Sequence, residues 1–234
     1  AHQRGVADYK ADGSSNFDHP AFKNALQWFG DLGSKHKIQP SWSEFTLKKI
    51  NWDAFMTGKY GMTYVGSWHL NLFADFGTYP RDWKFGVAPS PAFADGKNAL
   101  ASGGAYAINV NSKNADAAFR AIAWLSQNGY SFAADIPALA TLDAAAFKTS
   151  FKNLCEVNLK GEITTDELYK ATMDNGLGIV NEKVAGPAAA QINDMYAKEA
   201  AYYLIGQKSL AETMVNIKKK ADEFIKQEKA ASKN

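Results

Sequence analysis

Residue types able to do acid–base, nucleophilic or metal chemistry are present in this chain but scattered. The four histidines are His2, His19, His36 and His69, and no two of them form an HExxH or HxH pair. Cys155 is the single cysteine, so neither an intrachain disulfide nor a cysteine-rich zinc site can form. Ser67 follows an apolar run, but its setting is Val65-Gly66-Ser67-Trp68-His69 and not the GxSxG of a nucleophile elbow. Asp8 with Asp12-Gly13 lacks the ligand spacing of a calcium loop, and so does Asp174-Asn175-Gly176. Neither GxGxxG nor GxxxxGK[ST] occurs, which leaves phosphate cradling at a helix N-terminus without support. A carboxylate pair for glycoside hydrolysis assembles in space, so spacing along the chain neither favours nor removes it. The pattern predicts no catalytic residues, no metal and no cofactor. Cys155 reads as a buried small hydrophobe and the histidines as surface or packed side chains.

Bulk properties narrow the partners. Twenty-six Lys and Arg against 24 Asp and Glu give a formal charge of +2, too small a field to argue for nucleic acid. Hydrophobic residues at 46% and charged residues at 21% are ordinary for a globular protein, and 234 residues suffice for one large domain or two small ones. Aromatics reach 13% with six Trp, enough to fill a core and leave a few rings facing a ligand. No basic stretch is followed by an apolar run, so no signal peptide is expected within the chain. No segment is apolar and long enough to span a bilayer, and the chain reads as soluble.

The elements that must position these residues follow from periodicity. Asp18 and Pro20 open a helix with Phe22, Leu26, Phe29 and Leu32 at helical spacing, ending near Gly33. Residues 52–57 read as a short helical stretch closed by Gly58. Residues 60–65 (YGMTYV) read as a buried strand, left by the turn Gly66-Ser67-Trp68 into a helix over 68–76. Residues 84–88 (KFGVA) form a second predicted strand stopped by Pro89 and Pro91, and 105–110 (AYAINV) a third, entered through Gly103-Gly104. Ser112–Asn114 then cap a helix with Ala118, Ile122 and Leu125 on one face. Beyond Pro137 the pattern is helical, with breaks at Gly161, Gly176-Leu177-Gly178 and Gly186-Pro187. The last helix starts at a capping box, Ser209 with Glu212, and carries the stripe Leu210, Met214, Ile217, Ala221, Phe224 and Ile225. Its Lys-rich end reads as a solvated face. Strands alternating with helices predict an α/β sheet covered on its faces.

Residues 55–68, FMTGKYGMTYVGSW, resemble F-x-x-G-K-x-A-M, apolar strand, G-x-W, a pattern of the extracellular sugar-binding proteins of bacterial ABC importers, the maltose-binding-protein-like group. Gly61 stands where that family usually has Ala. Residues 85–91 (FGVAPSP) look like its F-G-V-x-P-x-P, residues 103–108 (GGAYAI) like its G-G-x-x-x-I, residues 112–118 (SKNADAA) like its S-K-N-x-x-A-A, and Ile136-Pro137-Ala138 like its crossover. Five such segments in the family's order span roughly residues 16–228.

The resemblance implies an α/β, periplasmic-binding-protein-like two-lobe fold, here mostly the second lobe with part of the first. It puts residues 1–98 in the second lobe, 99–136 in a return into the first lobe, and 137–234 in the helical C-terminal part of the second. Family chains carry a long N-terminal portion before this point, so the resemblance also implies a fragment, with the segment 105–128 packed against something else. The function implied is capture of a sugar in an interlobe cleft and its delivery to ABC permease subunits in the membrane. The location would be extracellular or periplasmic, with a lipid anchor on the full-length protein left open. Trp68 is the stacking ring that the resemblance points to. Gly103 and Gly104 would let backbone approach the ligand, Tyr106 would add a ring or hydroxyl, and Asn181 and Glu182 would add polar contacts. Trp42 and Trp83 fall in predicted loops, with packing as their ordinary role. The competing readings are a carbohydrate-active hydrolase and a non-catalytic interaction module that self-associates.

Overall fold

The computed structural model describes residues 1–91, 106–129, 143–173 and 183–231. These residues fall into two compact units, one of residues 1–50 and 183–231, the other of residues 51–91, 106–129 and 143–173.

In the first unit, helix α1 (Pro20–Ser34) buries Phe22, Leu26 and Gly33, a seam set by the helical repeat. Pro20 occupies its first position, where the missing N–H costs nothing. The cap is His19, one residue beyond the predicted Asp18: its ring Nδ1 accepts from the Ala21 N–H at 3.2 Å. Asp18 instead pairs with Lys10 at 2.6 Å. Gly33 is required sterically, because a Cβ there would lie 2.9 Å from the Pro40 carbonyl oxygen. The chain then enters α2 (Trp42–Leu47), capped by the Ser41 hydroxyl on the Glu44 N–H. Trp42 stacks on Phe45 at 5.4 Å between centroids, a packing role for that indole.

Two long helices, labelled α7 (Ala189–Leu204) and α8 (Leu210–Ala231) in chain order, complete this unit. Ser209 accepts from the Glu212 N–H at 3.2 Å, as the capping pattern predicts. Ile192, Met195 and Ala200 join Met214, Ile217, Ala221 and Ile225 in one core with Phe17, Phe22 and Leu26. Gly186 turns the chain ahead of α7 with φ 144°, its predicted break.

The second unit holds the short helices. A 3₁₀ turn (Ala54–Thr57) is followed by a second one (Ser67–His69) that runs directly into α3 (Leu70–Ala74). After them come α4 (Ala115–Asn128), α5 (Ala144–Asn153) with a π-type extension over Leu154–Asn158, and α6 (Thr165–Thr172). The capping box of α6 is complete: Thr164 and Glu167 satisfy each other's backbone N–H groups. Met56, Leu70, Phe73, Phe85, Phe147, Phe151, Cys155, Leu159 and Leu168 belong to one buried cluster. Trp83 packs against it, half-buried, as a structural ring.

The α/β, periplasmic-binding-protein-like expectation is overturned. The regular elements among the described residues are all helices, with no strand; their one β-type pairing is an isolated antiparallel bridge between Tyr9 and Ser15. Residues 60–65 carry no ladder, and Met62, Tyr64 and Val65 are exposed, not buried. Residues 84–88 keep the alternation of a strand, with Phe85 and Val87 turned to the core and Lys84, Gly86 and Ala88 exposed, yet form no ladder with any of the described residues. Residues 106–110 are irregular too. Period-two burial is a property of the segment, whereas a strand is a property of a pair, and a run with no edge to bond stays irregular.

Helix α4 forms where predicted, but none of its residues is buried. Ala118 and Ile122 are half-covered, and Phe119 and Trp124 are exposed. No helix among the described residues is long and apolar enough to cross a membrane.

Candidate ligand-binding site

The residues of interest lie in the second unit, where two short turns bring their leading tryptophans together. Trp52 lies two residues ahead of the Ala54–Thr57 turn, which Gly58 closes in the left-handed region at φ 71°. Met56 drops from that turn into the core, and Phe55 packs edge-on to Phe73 and Trp83. The Ser67–His69 turn then points His69, Leu70 and Phe73 inward. A chain this short that commits three of its side chains to the core leaves Trp68 on the other side, 45% exposed.

Trp52 and Trp68 meet as a corner. Their ring centroids are 5.7 Å apart at an interplanar angle of 72°, and Trp52 is 50% exposed. Behind them lies His69, only 2% exposed. Its ring stands edge-on to Trp68 (5.1 Å, 78°), to Trp52 (6.4 Å, 76°) and to Phe73 (5.5 Å, 90°). Its Nε2 lies 3.1 Å from the Trp52 carbonyl oxygen. That oxygen only accepts, so Nε2 carries the proton. Burial holds the His69 pKa below the ordinary histidine value, against smaller opposing effects of the Trp52 carbonyl and Asp53.

The Trp68 indole also lies over Gly66, where a Cβ would fall 2.6 Å from its Cδ1. Met62, Tyr64 and Val65, just ahead of Gly66 in the chain, are exposed, with the Tyr64 hydroxyl 3.2 Å from the Ser90 hydroxyl. Half-exposed rings with fixed angles suit recognition by stacking and van der Waals contact. Among the described residues no group of three His, Cys, Asp or Glu side chains could hold a metal ion.

Of the residues singled out by sequence, Trp68 is at the surface of the second unit. Tyr106 is exposed as well, in an irregular segment. Gly103, Gly104, Asn181 and Glu182 lie outside the described residues. Sequence reasoning passed over Trp52 and His69. Sixteen positions separate Trp52 from Trp68, and no periodicity links them. The one available signal was His69 itself, a polar residue at the head of an inward-facing stretch.

The family model of the bacterial extracellular solute-binding proteins matches residues 1–132, more than half of the chain. The chain belongs to that family. The matched span contains Trp52, Gly66, Trp68 and His69 and runs through α4. No curated protein and no solved structure matches the chain. For a solute-binding protein, a surface that recognises a small molecule is the chemistry to look for.

Proposed function

We propose that this solute-binding protein serves an ABC importer, that its solute is a carbohydrate, and that the Trp52–Trp68 corner contacts it. The observation that carries this reading is the pair of half-exposed indoles at 72° on a buried base. A pyranose has an apolar C–H face and a rim of hydroxyls. One indole covers the face while the second closes its edge, and polar groups nearby satisfy the hydroxyls. The resemblance of residues 55–68 to sugar-binding importers points the same way. Under this reading Gly103, Gly104, Tyr106, Asn181 and Glu182 remain proposed contacts. The protein does no chemistry on the sugar and passes it to a membrane permease outside the cell membrane.

The test is a thermal-shift screen of the protein against glucose, maltose, maltotriose, cellobiose and xylobiose, followed by calorimetric titration of any sugar that raises Tm. Trp68→Ala should weaken binding by about 2 kcal/mol, roughly 30-fold. A variant that titrates like the parent would remove Trp68 from the site, and absence of any shift across the panel would remove the carbohydrate.

A further inference from the structure

We infer that His69 is a positioning residue that locks the Trp52–Trp68 corner when neutral and releases it when protonated, so that acid loosens the ligand site. This rests on the reading of that corner as the place where solute binds.

The geometry fixes the protonation state. The proton on Nε2 is committed to the Trp52 carbonyl, which leaves Nδ1 as a bare acceptor. Nδ1 is buried and has no hydrogen-bond partner. The three rings around the imidazole supply no acceptor oxygen, so a second proton would create a buried N–H with nowhere to donate, on a ring that has become a cation. Asp53 is the charged group that acts on His69, and its effect is smaller than that of burial. Relief comes from turning the imidazole toward water. That movement breaks the Nε2–Trp52 bond and withdraws the edge on which both indoles rest. The hydrogen bond joins positions 17 residues apart and ties the segment bearing Trp52 to the turn bearing Trp68.

The sign follows from linkage. The folded-state pKa lies below the unfolded value, so this contribution is complete above the ordinary histidine value, about 6.5. It is lost as pH falls from there through the depressed value of His69. The chain carries three other histidines, His2, His19 and His36, so the proposal needs a variant that isolates position 69.

His69→Gln is that variant: its amide can donate to the Trp52 carbonyl as Nε2 does and stays neutral at every pH. Tryptophan emission and acrylamide quenching are followed from pH 8 to pH 5, with far-UV circular dichroism to show that the helices persist. The parent protein should red-shift and become more quenchable below about pH 6.5, while His69→Gln stays flat. A parent that does not titrate, or a variant that titrates identically, overturns the proposal. If His69→Gln does not fold, histidine ring NMR of the parent decides instead: one ring must titrate below the ordinary range together with the indole signals.

Calorimetry with maltose and maltotriose at pH 7.5 and pH 5.5 separates this from the sugar reading. Affinity should fall by at most about tenfold per pH unit below the His69 pKa. Binding that is equal at both pH values overturns the gate and leaves the sugar site standing. No binding at either pH with a titrating emission removes the sugar and leaves His69 as the group that positions the corner.

Discussion

The guanidinium of Arg81 and the carboxylate of Glu162, 81 positions apart, meet at 2.7 Å with both side chains buried. Arg81 also donates to the Phe73 carbonyl at 2.8 Å and lies over the Phe76 ring at 4.2 Å. One cation therefore joins the segment after α3 to the loop between α5 and α6.

Removing one partner strands the other. Arg81→Leu should destabilise the protein by about 3–5 kcal/mol, because Glu162 is left charged in a site that water reaches poorly. The double variant Arg81→Leu with Glu162→Leu should recover much of that loss. Urea denaturation of both variants checks the prediction, and a single variant as stable as the parent would contradict it.

Gly66 tests the site without touching the core. Its backbone, at φ −73° and ψ 161°, is open to any residue, so Gly66→Ala acts through the added methyl alone. That methyl would sit 2.6 Å from Trp68 Cδ1 and must push the indole aside. Stability should change by less than about 1 kcal/mol, while the tryptophan emission maximum moves and sugar affinity drops. Unchanged emission would mean that the ring does not rest on Gly66.

Glu199, only 2% exposed in α7, is held by Lys208 at 2.8 Å and by Lys220. Burial pushes its carboxyl up, but the two ammonium groups outweigh that and hold it below the usual glutamate value. Its stabilising contribution is complete above about pH 4.3 and is lost as pH falls through the depressed value. Glu199→Gln should cost about 2 kcal/mol at neutral pH and flatten the acid limb of the stability curve. Thermal melts from pH 7 to pH 3 measure both effects.

Cys155 is buried in the second core, and burial pushes its thiol up to about 11, aided by Glu156 and Glu167. The thiolate is the reactive form, so Ellman's reagent should label the native protein far more slowly than the urea-unfolded chain. Fast labelling under native conditions would mean that this core opens readily.

Local rules carried the helical half of the molecule. Pro20 and the Phe22–Leu26 spacing placed α1, Ser209 with Glu212 opened α8, and Ala118, Ile122 and Leu125 located α4, because caps and the 3.6-residue repeat act within a few neighbouring residues. Family membership was legible on the same terms, since residues 55–68 and 85–91 are contiguous motifs. Pairing was not. Residues 60–65, 84–88 and 105–110 have strand-like sequences, but whether each finds an edge depends on residues far along the chain. Position 68 was legible as an aromatic of interest. Only the folded chain set Trp52 at 5.7 Å from it and slid His69 behind both, because inward packing of Leu70 and Phe73 decides which way each neighbouring ring must face.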